Sequence, residues 1–266
     1  MMTIQLCCTH LFLDDTICQA KTAMHPDSQL EVYKCYADRP LLGKGLQVNV
    51  PWLLNIATFF KYHLHMVGEG ILHHAFSQLE THERPTPWTG SVMPGVQKLG
   101  RRWKGAYTYL EDDEVVQIRK RTVASDDEEA VIDSTQEGND GFEDLSMFFD
   151  LEDQPGAEDI EGLGHGPWIN DILDESLPDH ILSIKDDIYL DEHVNFFGLG
   201  QSHVKFHVHG RIQALPPQSG VPGFQRFTML KYLPDAGGMY GLGTTQFWAY
   251  EGSVLPGNNI ILGRYV

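Results

Sequence analysis

The sequence predicts an α+β chain, mainly β: an antiparallel barrel-like or strongly curled sheet with an N-terminal helical pair and a disordered acidic insert. Three observations predict it. Between Ser202 and the C-terminus, runs alternating apolar and polar residues are separated by Pro/Gly turns, as in short antiparallel strands with little helix between them. Residues 52–79 instead repeat apolar side chains at three- and four-residue spacing, which is helical. Between Thr122 and Ile184 there are 19 Asp and Glu but no Lys or Arg, leaving too little apolar surface to offset the entropy of ordering.

Residues 1–48 show no sustained periodicity and are expected to be poorly defined. They hold all four cysteines, Cys7, Cys8, Cys18 and Cys35. A structural zinc site uses a paired C-x₂₋₄-C knuckle, and this adjacent pair with two stragglers does not supply one, even with His10 or His25 nearby. A β-rich half without cysteine also differs from a disulfide-built secreted domain. The first residues carry no basic segment ahead of their apolar stretch and no stretch reaches 18 apolar residues, so a cytoplasmic or nuclear, non-secreted protein without membrane contact is expected.

The helical pair spans 49–84. Asn49 is positioned to cap a helix and Pro51 suits its first turn. Trp52, Leu53, Ile56, Phe59, Phe60 and Leu64 form one apolar face, and Ile71, Leu72, Ala75, Phe76 and Leu79 a second, with the Met66–Gly70 break between them. The pair carries His63, His65, His73, His74 and His82, but not at the i, i+4 spacing of a helical metal site.

The β domain is expected from residues 85–121 and 167–266, with 122–166 as the insert. Trp103–Tyr109 reads as a strand, Glu111–Glu114 as an acidic turn, and Val115, Val116 and Ile118 as further apolar β content. Two islands interrupt the acidic run: Leu145–Phe149, and Trp168–Leu173, whose period suits a short docked helix. Each fits either a segment that folds onto a partner or one that pins the insert to its own domain. Ser125 and Ser134 precede acidic residues and are candidate phosphorylation sites, each phosphate adding about −1.5 to −2 charges. In Ser202–Gln213, Val204, Phe206, Val208 and Ile212 fall on one face; His203, Lys205, His207, His209 and Arg211 fall on the solvent side. Strands are also expected at 224–233, 246–255 and 260–266, with a hairpin turn at Pro256–Asn259.

Outside residues 122–184 the chain has 18 acids against 19 bases, and no basic stripe suits nucleic acid. The sequence lacks G-x-S-x-G, Walker and H-E-x-x-H motifs, so no reaction and no cofactor is specified. His203, His207 and His209 share a strand face as metal-ligating histidines would, but Lys205 and Arg211 on that face oppose a dication. The candidate binding surface is the stiff loop containing Pro216 and Pro217 with the nearby aromatics Phe224, Trp248 and Tyr250, because fixed loops beside aromatics anchor peptides.

The stretches LPPQSGVPGFQRFTMLKY (215–232), FWAYEGSVLPG (247–257) and IILGRY (260–265) resemble a largely uncharacterised family of filamentous-fungal proteins, some of them F-box proteins. Arg102–Tyr107 (RWKGAY) resembles the start of the β-barrel that follows the F-box in one class of substrate receptors. The helices near Pro51 and Ile71 do not show the F-box pattern itself. The resemblance implies a non-enzymatic protein-binding module, with a Skp1-type adaptor or a ubiquitylation target as partner. By analogy with small closed barrels, Trp103 would stack against Arg264 to close the barrel. A lipocalin-like carrier of a small apolar ligand is the alternative, and a metal-dependent enzyme a more distant one.

Overall fold

The computed structural model describes residues 1–13, 26–34, 41–65, 70–86, 92–110, 112–120, 140–149, 192–233 and 247–265. The Trp168 island, Ser125, Ser134, Cys18, Cys35 and His25 lie outside them. The chain divides into two units, one of Met1–Ser91, Lys104–Glu143 and Gln218–Val221, the other of Val92–Trp103, Asp144–Pro217 and Pro222–Val266.

In the first unit, helices α1 (Met2–Cys7), α2 (Thr9–Phe12), α3 (Pro26–Val32), α4 (Val50–His65), α5 (Gly70–Ser77) and α6 (Asp112–Lys120) are formed. The expectation of an ill-defined 1–48 is corrected here, for three of these helices fall within it. They have six, four and seven residues, too short to be stable alone or to show a period. Packing specifies them instead: Leu6, Cys7, Thr9, His10, Ser28 and Gln29 are buried. Asn49 caps α4 as expected, its Oδ1 accepting the Trp52 N–H at 3.2 Å. Trp52, Leu53, Ile56, Phe59 and Leu64 are buried along that helix. Leu64, Leu72 and Phe76 form a small core with Phe60 and Leu79 packed on it, whereas Ile71, expected on the same face, is exposed. Arg84 donates to the α5-end carbonyls of Phe76, Ser77 and Leu79 at 3.2–3.4 Å and lies over the Phe76 ring.

Val115–Ile118, read as β from the sequence, belong to α6. The supposed acidic turn is the start of this helix, where Asp113 and Glu114 complement the dipole, as Arg119 and Lys120 do at the other end. Ile118 is its buried residue, and Arg119 Nε donates to the Tyr33 carbonyl at 2.8 Å.

Seven antiparallel strands make a strongly curled half-barrel sheet in the order β1-β2-β3-β4-β5-β6-β7. They are β1 (Arg102–Thr108), β2 (Asp140–Phe148), β3 (His193–Gln201), β4 (Lys205–Ala214), β5 (Gln225–Tyr232), β6 (Phe247–Val254) and β7 (Ile261–Tyr265). Strand β2 corrects the reading of 122–166 as wholly disordered: the Leu145 island pairs with β3, Met147 opposite Gly198, and Met147 is fully buried. Its acidic neighbours masked a strand on which Leu145 and Met147, two residues apart, both pack on the core.

The inner face of the second unit is packed with Leu99, Met147, Phe196, Phe206, Val208, Ile212, Phe227, Met229 and Val254. Two glycines make room for its rings. A Cβ at Gly210 would collide with the Phe196 ring and meet the Thr228 carbonyl at 2.5 Å, and one at Gly200 would collide with Phe206 and the Asp144 carbonyl. The β6–β7 turn is formed by residues with left-handed backbone, Gly257 (φ 99°) and Asn258 (φ 58°).

The closing pair expected from Trp103 and Arg264 is not formed. Trp103 packs against the inner-face cluster on β1, at one end of the strand order. On β7, at the other end, Ile261 and Tyr265 pack on that cluster. Strand alternation therefore turns Arg264 to the opposite face, beside its register partner Glu251. The indole Nε1 donates to the Gly100 carbonyl at 2.7 Å instead.

Candidate functional site

One end of the inner face is built from the start of β4, the end of β5, the start of β6 and the end of β7. There Lys231 lies opposite both Val208 and Trp248 in the register. Its Nζ is 4.1 Å from the Phe206 ring centroid, 5.7 Å from Trp248 and 5.9 Å from Tyr265. Each ring presents a negative π face, so the ammonium is held by cation–π attraction while its stem covers the core. Trp248 is 39% exposed. Tyr250, two residues further along β6, makes edge contacts with Phe227 and Tyr265 at 5.9 and 5.2 Å, and burial pushes its hydroxyl pKa well above the usual value. The end of the half-barrel is thus an aromatic rim around a lysine, with one indole in solvent.

The candidate surface read from the sequence is only partly assembled. Trp248 is presented; Tyr250 leans into the core; Phe224 is 1% exposed and its carbonyl accepts the Leu215 N–H, so it is interior rather than binding surface. Pro216 is half-buried and Pro217 exposed. The following residues make a tight turn with paired bonds between Gln218 and Val221 and left-handed backbone at Ser219 and Gly220. Gln218 is buried in the first unit, its Oε1 accepting the Val48 N–H at 2.7 Å and its Nε2 donating to the Leu46 carbonyl at 3.2 Å. Lys231, Phe206 and Tyr265 were missed: a cation on the inner face of a strand breaks the apolar alternation, which is the signal that marks it.

The outer face corrects the reading of a solvated histidine row. His203 and Val204 precede β4 in a bend and are exposed, although Val204 was expected on the buried face. His207 and His209 do share a face, but His209 is buried, stacked at 5.5 Å and 5° on Tyr232 and tilted against Phe197 at 5.9 Å. His207 meets Tyr232 edge-on at 5.6 Å. The two imidazoles act as aromatic packing groups, and among the described residues no three His, Cys, Asp or Glu side chains are grouped to hold a metal ion. Further along this face Arg226 clamps Glu251, with Nη2 and Nε 2.7 and 3.0 Å from the same carboxylate oxygen, and Glu251 is 1% exposed.

Burial lowers the pKa of His207, His65, His10 and His193 below the ordinary 6.5, with Lys61 and His73 adding to the effect at His65 and Arg211 at His193. The unfolded chain therefore binds more protons than the folded one between the folded values and 6.5. Stability is fully present above that window and is lost as pH falls through it. Thermal melts are expected to give a lower Tm near pH ~5.5 than near pH ~7.5; an equal or higher Tm at the acid value would refute the burial of these rings. Cys7 behaves in the opposite sense, its thiol pushed up to about 11 by burial, which keeps it protonated and unreactive.

No helix among the described residues is long and apolar enough to cross a membrane. No family model, curated protein or solved structure matches the chain.

Proposed function

We propose that the chain is a non-enzymatic protein-binding module, similar in role to the barrel of F-box substrate receptors, whose partner seats on the aromatic rim. The observation that carries this reading is the exposed Trp248 on a rigid strand beside Lys231, Phe206 and Tyr265. Trp at the centre of a desolvated contact is the residue type most enriched among binding hot spots. The packed inner face, with Phe206, Phe227 and Met147 almost wholly buried, favours a protein partner over a small apolar ligand held inside. A Skp1-type adaptor, or a protein destined for ubiquitylation, is the partner class the F-box resemblance supplies, in the cytosol or nucleus.

The test is affinity capture of the full chain from its native cells, with the purified protein also examined by native mass spectrometry. Recovery of a Skp1-type adaptor with a cullin supports receptor function. A stoichiometric apolar small molecule without any protein partner overturns it in favour of a carrier.

A further inference from the structure

Lys231 stands on the inner face of β5, where the alternation calls for an apolar residue, and each ring around its ammonium is held by packing of its own. Phe206 is almost wholly buried. Its ring edge lies over its register partner Gly200, where a Cβ would collide with Cε2 and Cζ, and Lys231 Nζ lies over the ring face. Tyr265 is propped by its edge contact with Tyr250, whose hydroxyl fills the space beside Gly263, 2.7 Å from where a Cβ would stand. Trp248 is set opposite Lys231 by the β5–β6 register. Three rings from three strands thus converge on one cation. The site opens to solvent through the exposed Trp248 and the half-buried Lys231 and Tyr265.

We infer that the Phe206, Trp248 and Tyr265 rings form a cage for a methylated ammonium of the partner protein, a di- or trimethylated lysine, and that Lys231 is a resident plug which the partner's cation displaces. Ring faces attract any onium group, but they replace none of the hydrogen bonds that a primary ammonium makes in water. Methylation removes those N–H groups and weakens hydration, so a methylated cation enters the cage at a lower desolvation cost than Lys231 stays in it. An unmethylated lysine has no such advantage and faces a tethered competitor at high effective concentration. A guanidinium is a poorer occupant, because its planar fork stacks on one ring rather than filling the space among three. Once displaced, Lys231 returns its ammonium to water on a flexible four-carbon stem. The inference rests on the protein-binding reading and specifies what the partner presents to the rim.

The probes are Nα-acetyl-trimethyllysine amide and its unmethylated counterpart, titrated into the full chain and followed by proton NMR. The trimethylated probe is expected to bind with its methyl protons shifted upfield by the ring faces, while the Lys231 ε-methylene protons move towards their solvent position. The unmethylated probe is expected to do neither. Lys231→Ala, which empties the cage, is expected to tighten binding of the trimethylated probe about tenfold, and Trp248→Ala to abolish it. Should Lys231→Ala fail to fold, the Lys231 ε-methylene shift in the wild-type chain gives the same test. Equal binding of the two probes overturns the inference, as does a folded Lys231→Ala chain that binds the trimethylated probe no more tightly. Choline bound more tightly than the lysine probe overturns the protein source in favour of a free quaternary ammonium. Failure of the probe to bind, while a captured partner still depends on Trp248, overturns the cage and spares the rim. Probe binding with no Trp248-dependent protein partner upholds the cage and overturns the protein-binding reading.

Discussion

Glu251→Ala is expected to cost about 3–5 kcal/mol of folding stability, because it leaves Arg226 charged beside a buried, empty position. Glu251 is 1% exposed and the Arg226 side chain 11%, so solvent screens the pair little. Denaturant titration of Glu251→Ala would show the loss as a lower midpoint with an unchanged slope. Arg226→Met with Glu251→Leu together is expected to recover most of it, since removing both charges also removes their desolvation cost. A single substitution costing no more than ~1 kcal/mol would mean that the carboxylate is solvated and the outer face open.

The second large effect is expected at Phe227. Its ring stacks on Phe196 at 5.0 Å and 23° and meets the edge of Tyr250 at 5.9 Å, and it is 2% exposed. Phe227→Ala removes the ring from the middle of the inner face and is expected to cost about 3–5 kcal/mol, the transfer free energy plus the cavity left behind. The packing that makes this loss large also fills the space a lipocalin-like ligand would occupy. A loss below ~2 kcal/mol would indicate a loosely packed interior, and with it the carrier reading.

The strands of the C-terminal half were legible because their periodicity is strong: β4, β5, β6 and β7 fall within three residues of the sequence boundaries at each end. Helix α4 was legible from its apolar spacing and its Asn49 cap. What was lost had no local signal. Strand β2 sits between acidic segments and owes its place to pairing with β3. Helices α1 to α3 are shorter than the window in which a helical period can be seen, and α6 presents only nine residues with one deeply buried side chain. The site was half legible. Trp248 could be singled out as an aromatic near a stiff loop, but Phe224 and Tyr250 could not be separated from it, since burial depends on sheet curl rather than residue type. The histidine row had the right parity and the wrong environment: His209 lies on the face opposite the core, yet is covered.

A partner seated on the Trp248 rim is tested by the affinity of the captured partner for the wild-type chain and for Trp248→Ala. Truncation of a half-exposed indole leaves the core intact, so Tm is expected to stay within a few degrees while affinity falls about 30-fold or more, equivalent to ~2 kcal/mol. Equal affinities with equal Tm values would place the partner elsewhere and contradict the account.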